Sequence, residues 1–253
     1  MHYVIGFVIA MFIALTGVGA GTITTPLLIL FLGVPTSIAV TTGLVFSAVV
    51  KLFLVPTQIV RKQVNWRVLG WMLLGGLPGV LLGSLFLAHL VSKGSQHIMN
   101  GLLGGVLVLT AIYQIIFSFR PVTPRPRTRE CPYCMPLLMF PVGAEVGFSS
   151  AGAGALGTAA LLSLTDLAPA QVVGTDILFG FLVSLVGSGA HIFHGAHDTT
   201  LLRELVIGGI FGVFVGTWSA KFVPKRPLRF ALWVWLLIIG VQFIYNNAFH
   251  PLH

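Results

Sequence analysis

Three ionisable residues sit in stretches that are otherwise almost wholly apolar: Lys51 in "SAVVKLFLV", Glu145 in "FPVGAEVGF" and Asp176 in "VVGTDILFG". A charge inside an apolar run is expensive to keep and marks a functional position by default. Lys51 lies about two-thirds along its run, too deep to snorkel easily, and offers a fixed positive charge to an anion. The competing reading is an ion pair that only locks a helix bundle. Glu145 and Asp176 each fit a proton-coupling carboxyl, because burial disfavours the charged form. Each also fits a partner for Lys51, and the residue pattern leaves that choice open.

Two further clusters have ligand-like chemistry. "HIFHGAHD" gathers His191, His194, His197 and Asp198 near the end of an apolar run. The residue types suit zinc, but the spacing spreads them over a wide arc and Gly195 disturbs a helix there. A wet outer loop or a proton-sensitive rim is the expected reading. "CPYC" places Cys131 and Cys134 at a dithiol spacing in a proline- and arginine-rich stretch. No strand–helix unit surrounds it and no second C-x-x-C completes a four-cysteine site in one chain, so a redox sensor, half of an intermolecular metal site and plain reduced thiols all stay open, and no cofactor is expected.

The elements that must position these residues are unusual. "ALTGVGAGTITTPLL" (14–28) is an apolar run cut by Gly17, Gly19 and Gly21, and "SSAGAGALGTAALL" (149–162) is cut in nearly the same way. Non-helical backbone at membrane depth survives only where it is buried in protein or lines an aqueous cavity. A short helix is expected to start after each break, at Thr22 and at Ala155. Its free N–H groups and partial positive charge would suit a small anion. Hydroxyls crowd the same turns. The expected anion contacts are Thr16, Gly19, Gly21, Thr22 and Thr24 with Ser150, Gly152, Gly154 and Thr158, joined by Thr42, Thr175 and Lys51. The plainer alternative is that the glycines only let helices pack closely.

Composition sets the solvent. Of 253 residues, 56% are hydrophobic and 8% charged, against about a quarter charged in a soluble domain. The chain therefore reads as an all-α integral membrane protein. Its net charge of +8 is carried by short loops rather than by a basic domain, so no nucleic acid is expected as a partner. The N-terminal "MHYVIGFVIAMF" has no basic region and no small-residue cleavage site, and is not expected to be a cleaved signal. Apolar runs long enough to span are 36–59, 68–90, 96–119, 168–193, 201–222 and 228–248. The runs 3–15, 22–33, 137–149 and 155–165 are too short and flank the two breaks.

The halves repeat with a shift of 133 residues. Gly19-Ala20-Gly21 falls on Gly152-Ala153-Gly154, Thr25 on Thr158, Thr42 on Thr175, Phe46 on Phe179, and Gly75, Gly79 and Gly83 on Gly208, Gly212 and Gly216. The expected organisation is a first membrane repeat (1–119), a cytoplasmic linker (120–136) and a second repeat (137–253). If each short pair returns to its starting side, each repeat has a glycine-broken re-entrant pair plus three full spans, and the two repeats are inverted. Eleven of the 14 basic residues then collect on one face, with only Lys93 and Arg203 opposite. A single broken helix per pair would divide the loops eight against five, so the positive-inside rule favours inversion, with both termini outside. The glycine ladders serve within one chain or between chains, which leaves a homodimer open.

"GVGAGTITTPLL", "AVTTGL", a basic loop ending "VNW" and a glycine-ladder helix resemble the TauE/SafE sulfite-exporter family of membrane permeases. "AGAGALGTAALL" and "VVGTDILFG" fit the same repeated pattern. The resemblance covers nearly the whole chain apart from the linker. It implies secondary transport of a small sulfur-containing anion such as sulfite, thiosulfate or a sulfonate, in a bacterial-type cytoplasmic membrane. Ala159 stands where the first half has Pro26, and Lys51 and the CPYC stretch are not carried over from the family. The chain is expected not to be an enzyme. The competing functions are an uncoupled anion channel and a membrane thiol or sulfur carrier using Cys131 and Cys134.

Overall fold

Proline, asparagine and glycine punctuate the chain where its helices begin and end. In the computed structural model, residues 2–16, 19–94, 96–119, 134–152, 154–193, 198–219 and 225–249 are described. Among them every element is an α-helix: α1 (His2–Thr16), α2 (Ala20–Leu32), α3 (Thr36–Val60), α4 (Trp66–Ser92), α5 (Gln96–Phe119), α6 (Cys134–Ser149), α7 (Ala155–Leu164), α8 (Pro169–Phe193), α9 (Thr199–Ser219) and α10 (Lys225–Phe249). Gly33, at φ 61°, stops α2, and its N–H and that of Val34 reach back to Ile29 and Leu28. The Asn65 side chain accepts from the Val68 N–H at 3.1 Å to start α4. The Asp198 carboxylate accepts from Thr200 and Leu201 to start α9. Asn65 and Asp198 are themselves 133 residues apart, so one cap occurs twice.

α3 and α8 lie against each other at the centre, their bounds related by the same 133-residue shift. Phe46 and Phe179, one from each, are fully buried, and Ser184 donates to Ser47 at 3.1 Å across the contact. Around this pair the two halves are interleaved. α1 packs on α9 and α6 on α4, so each short helix leans on the glycine ladder of the other half. A β-carbon on Gly75, Gly79 or Gly83 would overlap the carbonyl oxygens of Pro136, Phe140 and Ala144, and on Gly208, Gly212 or Gly216 would crowd those of Tyr3, Phe7 and Met11. Each of these three pairs maps onto its counterpart by 133 residues. The Phe179 ring fills the notch at Gly76 and the Phe46 ring fills that at Gly209. Lipid supplies no hydrophobic drive between helices, so this backbone-on-backbone packing is what holds them together. α5 and α10 pair with each other at the edge through Leu103, Leu107, Trp233 and Phe243.

Among the described residues five helices are long and apolar enough to cross a membrane: Thr36–Val60, Trp66–Ser92, Ile98–Ile116, Pro169–Phe193 and Thr199–Ser219. The sixth expected span forms as α10 over Lys225–Phe249, whose described apolar stretch is Phe230–Tyr245. α2 begins two residues before the expected Thr22, because the Thr22 N–H turns back to the Gly19 carbonyl at 3.2 Å and tightens the first turn.

Candidate functional site

The two glycine breaks meet. Gly19 caps α2 in an extended conformation and Gly154 caps α7, and neither helix start receives a side-chain cap. A β-carbon on Gly19 would lie 3.3 Å from the Gly154 nitrogen, and one on Gly21 would overlap the Ser150 carbonyl oxygen. Thr25 and Ser150 hydroxyls bond at 2.5 Å across the junction. Gly43 lies beneath both, its β-position 2.6 Å from the Thr25 Oγ1 and 2.7 Å from the Ser150 Oγ. Ser150 holds a left-handed φ of 59° and Gly152 one of 89°, which turns the chain sharply between α6 and α7. Two helix N-termini, each with unsatisfied N–H groups and about half a positive charge, thus start beside one another inside the protein.

Charge is distributed unevenly around this point. Lys51 is only 6% exposed, and its ammonium has no hydrogen-bond partner among the described residues. The carboxylate that acts on it electrostatically belongs to Asp176, on α8. Thr158 is 2.7 Å from Asp176 Oδ2, and the other carboxylate oxygen lies against Gly157 in the first turn of α7. Glu145 stands on the far side of the second turn. Thr110 lies 2.5 Å from its Oε1, and a β-carbon on Gly152 would be 2.9 Å from its carboxyl. Of the two carboxyls that the sequence offered to Lys51, Asp176 is the one placed to act on it.

The remaining expected residues fall in different places. Thr22 and Thr24 are buried in the first turns of α2, and the Thr22 hydroxyl bonds the Gly19 carbonyl. Thr42 is buried on α3. Thr175 accepts from the Asn65 N–H at 3.0 Å, so its hydroxyl anchors the α3–α4 connection. Thr16 ends α1, with its side chain outside the described set. His191 is not in a wet loop. It is buried, with Nε2 2.8 Å from the Gly147 carbonyl, because the last turn of α8 packs against α6. His194, His197 and Cys131 lie outside the described residues, while Cys134 opens α6 as a disulfide-bonded residue. No three His, Cys, Asp or Glu side chains are grouped to hold a metal among the described residues.

Sequence reasoning passed over Thr110 and Gln114, a lone hydroxyl and a lone amide four residues apart in an apolar helix, both buried. It also missed a signal in its own alignment. The counterparts of Lys51, Asp176 and Glu145 under the 133-residue shift are Ser184, Gly43 and Phe12. The backbone is duplicated and the charges are not.

Residues 3–243 match the family described as sulfite exporter TauE/SafE. The chain belongs to that family. "Probable membrane transporter protein YjnA" of Bacillus subtilis (strain 168) is 34% identical over 251 residues, covering 94% of this chain and 97% of that protein. "Probable membrane transporter protein YdhB" of the same organism is 23% identical over 242 residues, with 94% and 97% covered. "Probable membrane transporter protein YtnM" is 25% identical over 195 residues, with 70% of this chain and 61% of that protein covered. No solved structure matches the chain significantly. This TauE/SafE chain is accordingly a multi-pass membrane transporter.

Proposed function

We propose that the protein is a secondary transporter that moves a small sulfur-containing oxyanion, such as sulfite, thiosulfate or a sulfonate, gripped between the N-termini of α2 and α7. The observation that carries this reading is the meeting of two uncapped helix starts, with the buried Lys51 ammonium, without a hydrogen bond among the described residues, acting on Asp176 at the first turn of α7. An ammonium that makes no hydrogen bond and a buried helix N-terminus can each take an acceptor, and one oxyanion serves both. The hydroxyls of Thr25, Thr158 and Ser150 line the same junction and suit oxyanion oxygens. Shared contacts under one shift support two inverted repeats, with the anion at their interface near the bilayer midplane. The positive-inside rule puts the basic loops and linker 120–136 in the cytoplasm and both termini outside, in a cytoplasmic membrane.

Uptake of labelled sulfite and thiosulfate into proteoliposomes, with and without an imposed pH gradient, tests this. Wild-type protein is expected to accumulate at least one of them, and Lys51→Ala to abolish accumulation while keeping its thermal unfolding profile. Accumulation by a folded Lys51→Ala variant at wild-type rate would remove Lys51 from the site. A conductance that persists without any gradient coupling would favour a channel.

A further inference from the structure

Glu145 is not used by the anion cradle, yet it sits against the turn that builds one half of it. Its carboxyl hydrogen-bonds Thr110, whose hydroxyl lies 2.5 Å from Oε1 and 2.8 Å from the Val106 carbonyl one helical turn back. A hydroxyl has one proton, and a carbonyl can only accept. When Thr110 donates to Val106, Glu145 must donate to Thr110, which requires a neutral carboxylic acid. When Glu145 is ionised, Thr110 has to turn and donate to it instead. Gln114, one turn further along α5, keeps a buried amide nitrogen without a partner among the described residues.

The helices packed on α6 bring few charges to this carboxyl. α4 carries Arg67 and His89 near its ends, both exposed; α5 carries the exposed Tyr113, and His97, whose side chain lies outside the described set; α8 carries Asp176 and the buried His191; α2 and α7 carry none. Among the described residues no cation forms an ion pair with Glu145, whereas Lys51 faces Asp176. Thr158 repeats the hydroxyl arrangement, 2.9 Å from the Gly154 carbonyl and 2.7 Å from Asp176. There, however, the carboxylate lies at the first turn of α7 with Lys51 acting on it, and the Thr158 hydroxyl can donate to it.

Resting on the anion-transport reading, we infer that the coupling ion is a proton and that Glu145 carries it, with Thr110 as its hydrogen-bond switch, while Asp176 stays ionised as the counter-ion of Lys51. The carboxylate takes one proton from water on one side of the membrane and releases it on the other, and no other species is consumed. An ionised Glu145 against Gly152 repels an anion at the start of α7, and the neutral acid does not. Proton and anion therefore bind together, and each raises the affinity for the other by the same factor.

The test is equilibrium binding of labelled thiosulfate to the full chain in detergent between pH 5 and 8, a range over which that ion keeps its charge. In wild-type protein the affinity is expected to fall by about tenfold per pH unit above the pH at which Glu145 loses its proton, the slope for one linked proton. Glu145→Gln, close in shape to the neutral acid, is expected to flatten that slope and hold the low-pH affinity within about threefold. Thr110→Val should keep the slope but move it along the pH axis. A preserved slope in Glu145→Gln, or a flat one in Asp176→Asn, overturns the inference. An infrared band of a protonated carboxylic acid, present in wild-type protein and lost in Glu145→Gln, supports it without relying on binding. If wild-type protein binds no thiosulfate or sulfonate at any pH, the cradle reading falls and this inference falls with it. If it binds with no pH dependence, the cradle stands and only this inference falls.

Discussion

Ser150 is one of only two non-glycine residues with a positive φ among those described, the other being Lys62 in a surface turn. Its counterpart in the first half is Gly17. A left-handed conformation costs a serine about 1 kcal/mol or more, and the hydroxyl bond to Thr25 returns roughly the same amount. Ser150→Ala keeps the strain and loses the bond, so it should lower stability by about 1 kcal/mol. Ser150→Gly removes both, and should unfold near the wild-type temperature. Thermal unfolding in detergent distinguishes the two, and equal losses would mean the left-handed conformation carries no strain for a serine. At this scale the sequence disclosed the turn, since Ser-Ser-Ala-Gly-Ala-Gly in an apolar run cannot remain helical without cost. It did not disclose that Gly21 touches Ser150. Contacts between residues so far apart leave no local periodicity to read.

At the scale of elements, the reciprocal ladders make a paired expectation. Gly79→Ala and Gly212→Ala each force a methyl onto a backbone carbonyl of the opposing short helix, and each should destabilise by about 1–3 kcal/mol. Gly105→Ala, on α5 with open space around it, should instead stabilise by about 0.5–1 kcal/mol. A scan of melting temperatures checks the three together, and unlike effects at Gly79 and Gly212 would break the equivalence of the ladders. Most helix boundaries and the shift itself were legible, because glycine, proline and capping residues act locally. The partners of the ladders were not. Small residues at every fourth position permit close approach by any helix, and nothing in that pattern names which one.

For the molecule as a whole, interleaving changes what a half is. α1 rests on α9 and α6 on α4, so residues 1–119 and 137–253 each leave a glycine ladder and a short helix unpartnered when alone. Chains cut within residues 120–133 and produced together should assemble and transport, while either piece produced singly should be degraded. Transport by one piece alone would mean the interleaving is dispensable. Synthesis runs from the N-terminus, and α1 meets its ladder only after α9, ending at Ser219, has been made. For most of translation the first helix therefore waits in the bilayer without its mate. The cell must shelter it from proteases and wrong neighbours until the last quarter of the protein emerges, which makes the late ladder a checkpoint for assembly as much as a packing surface.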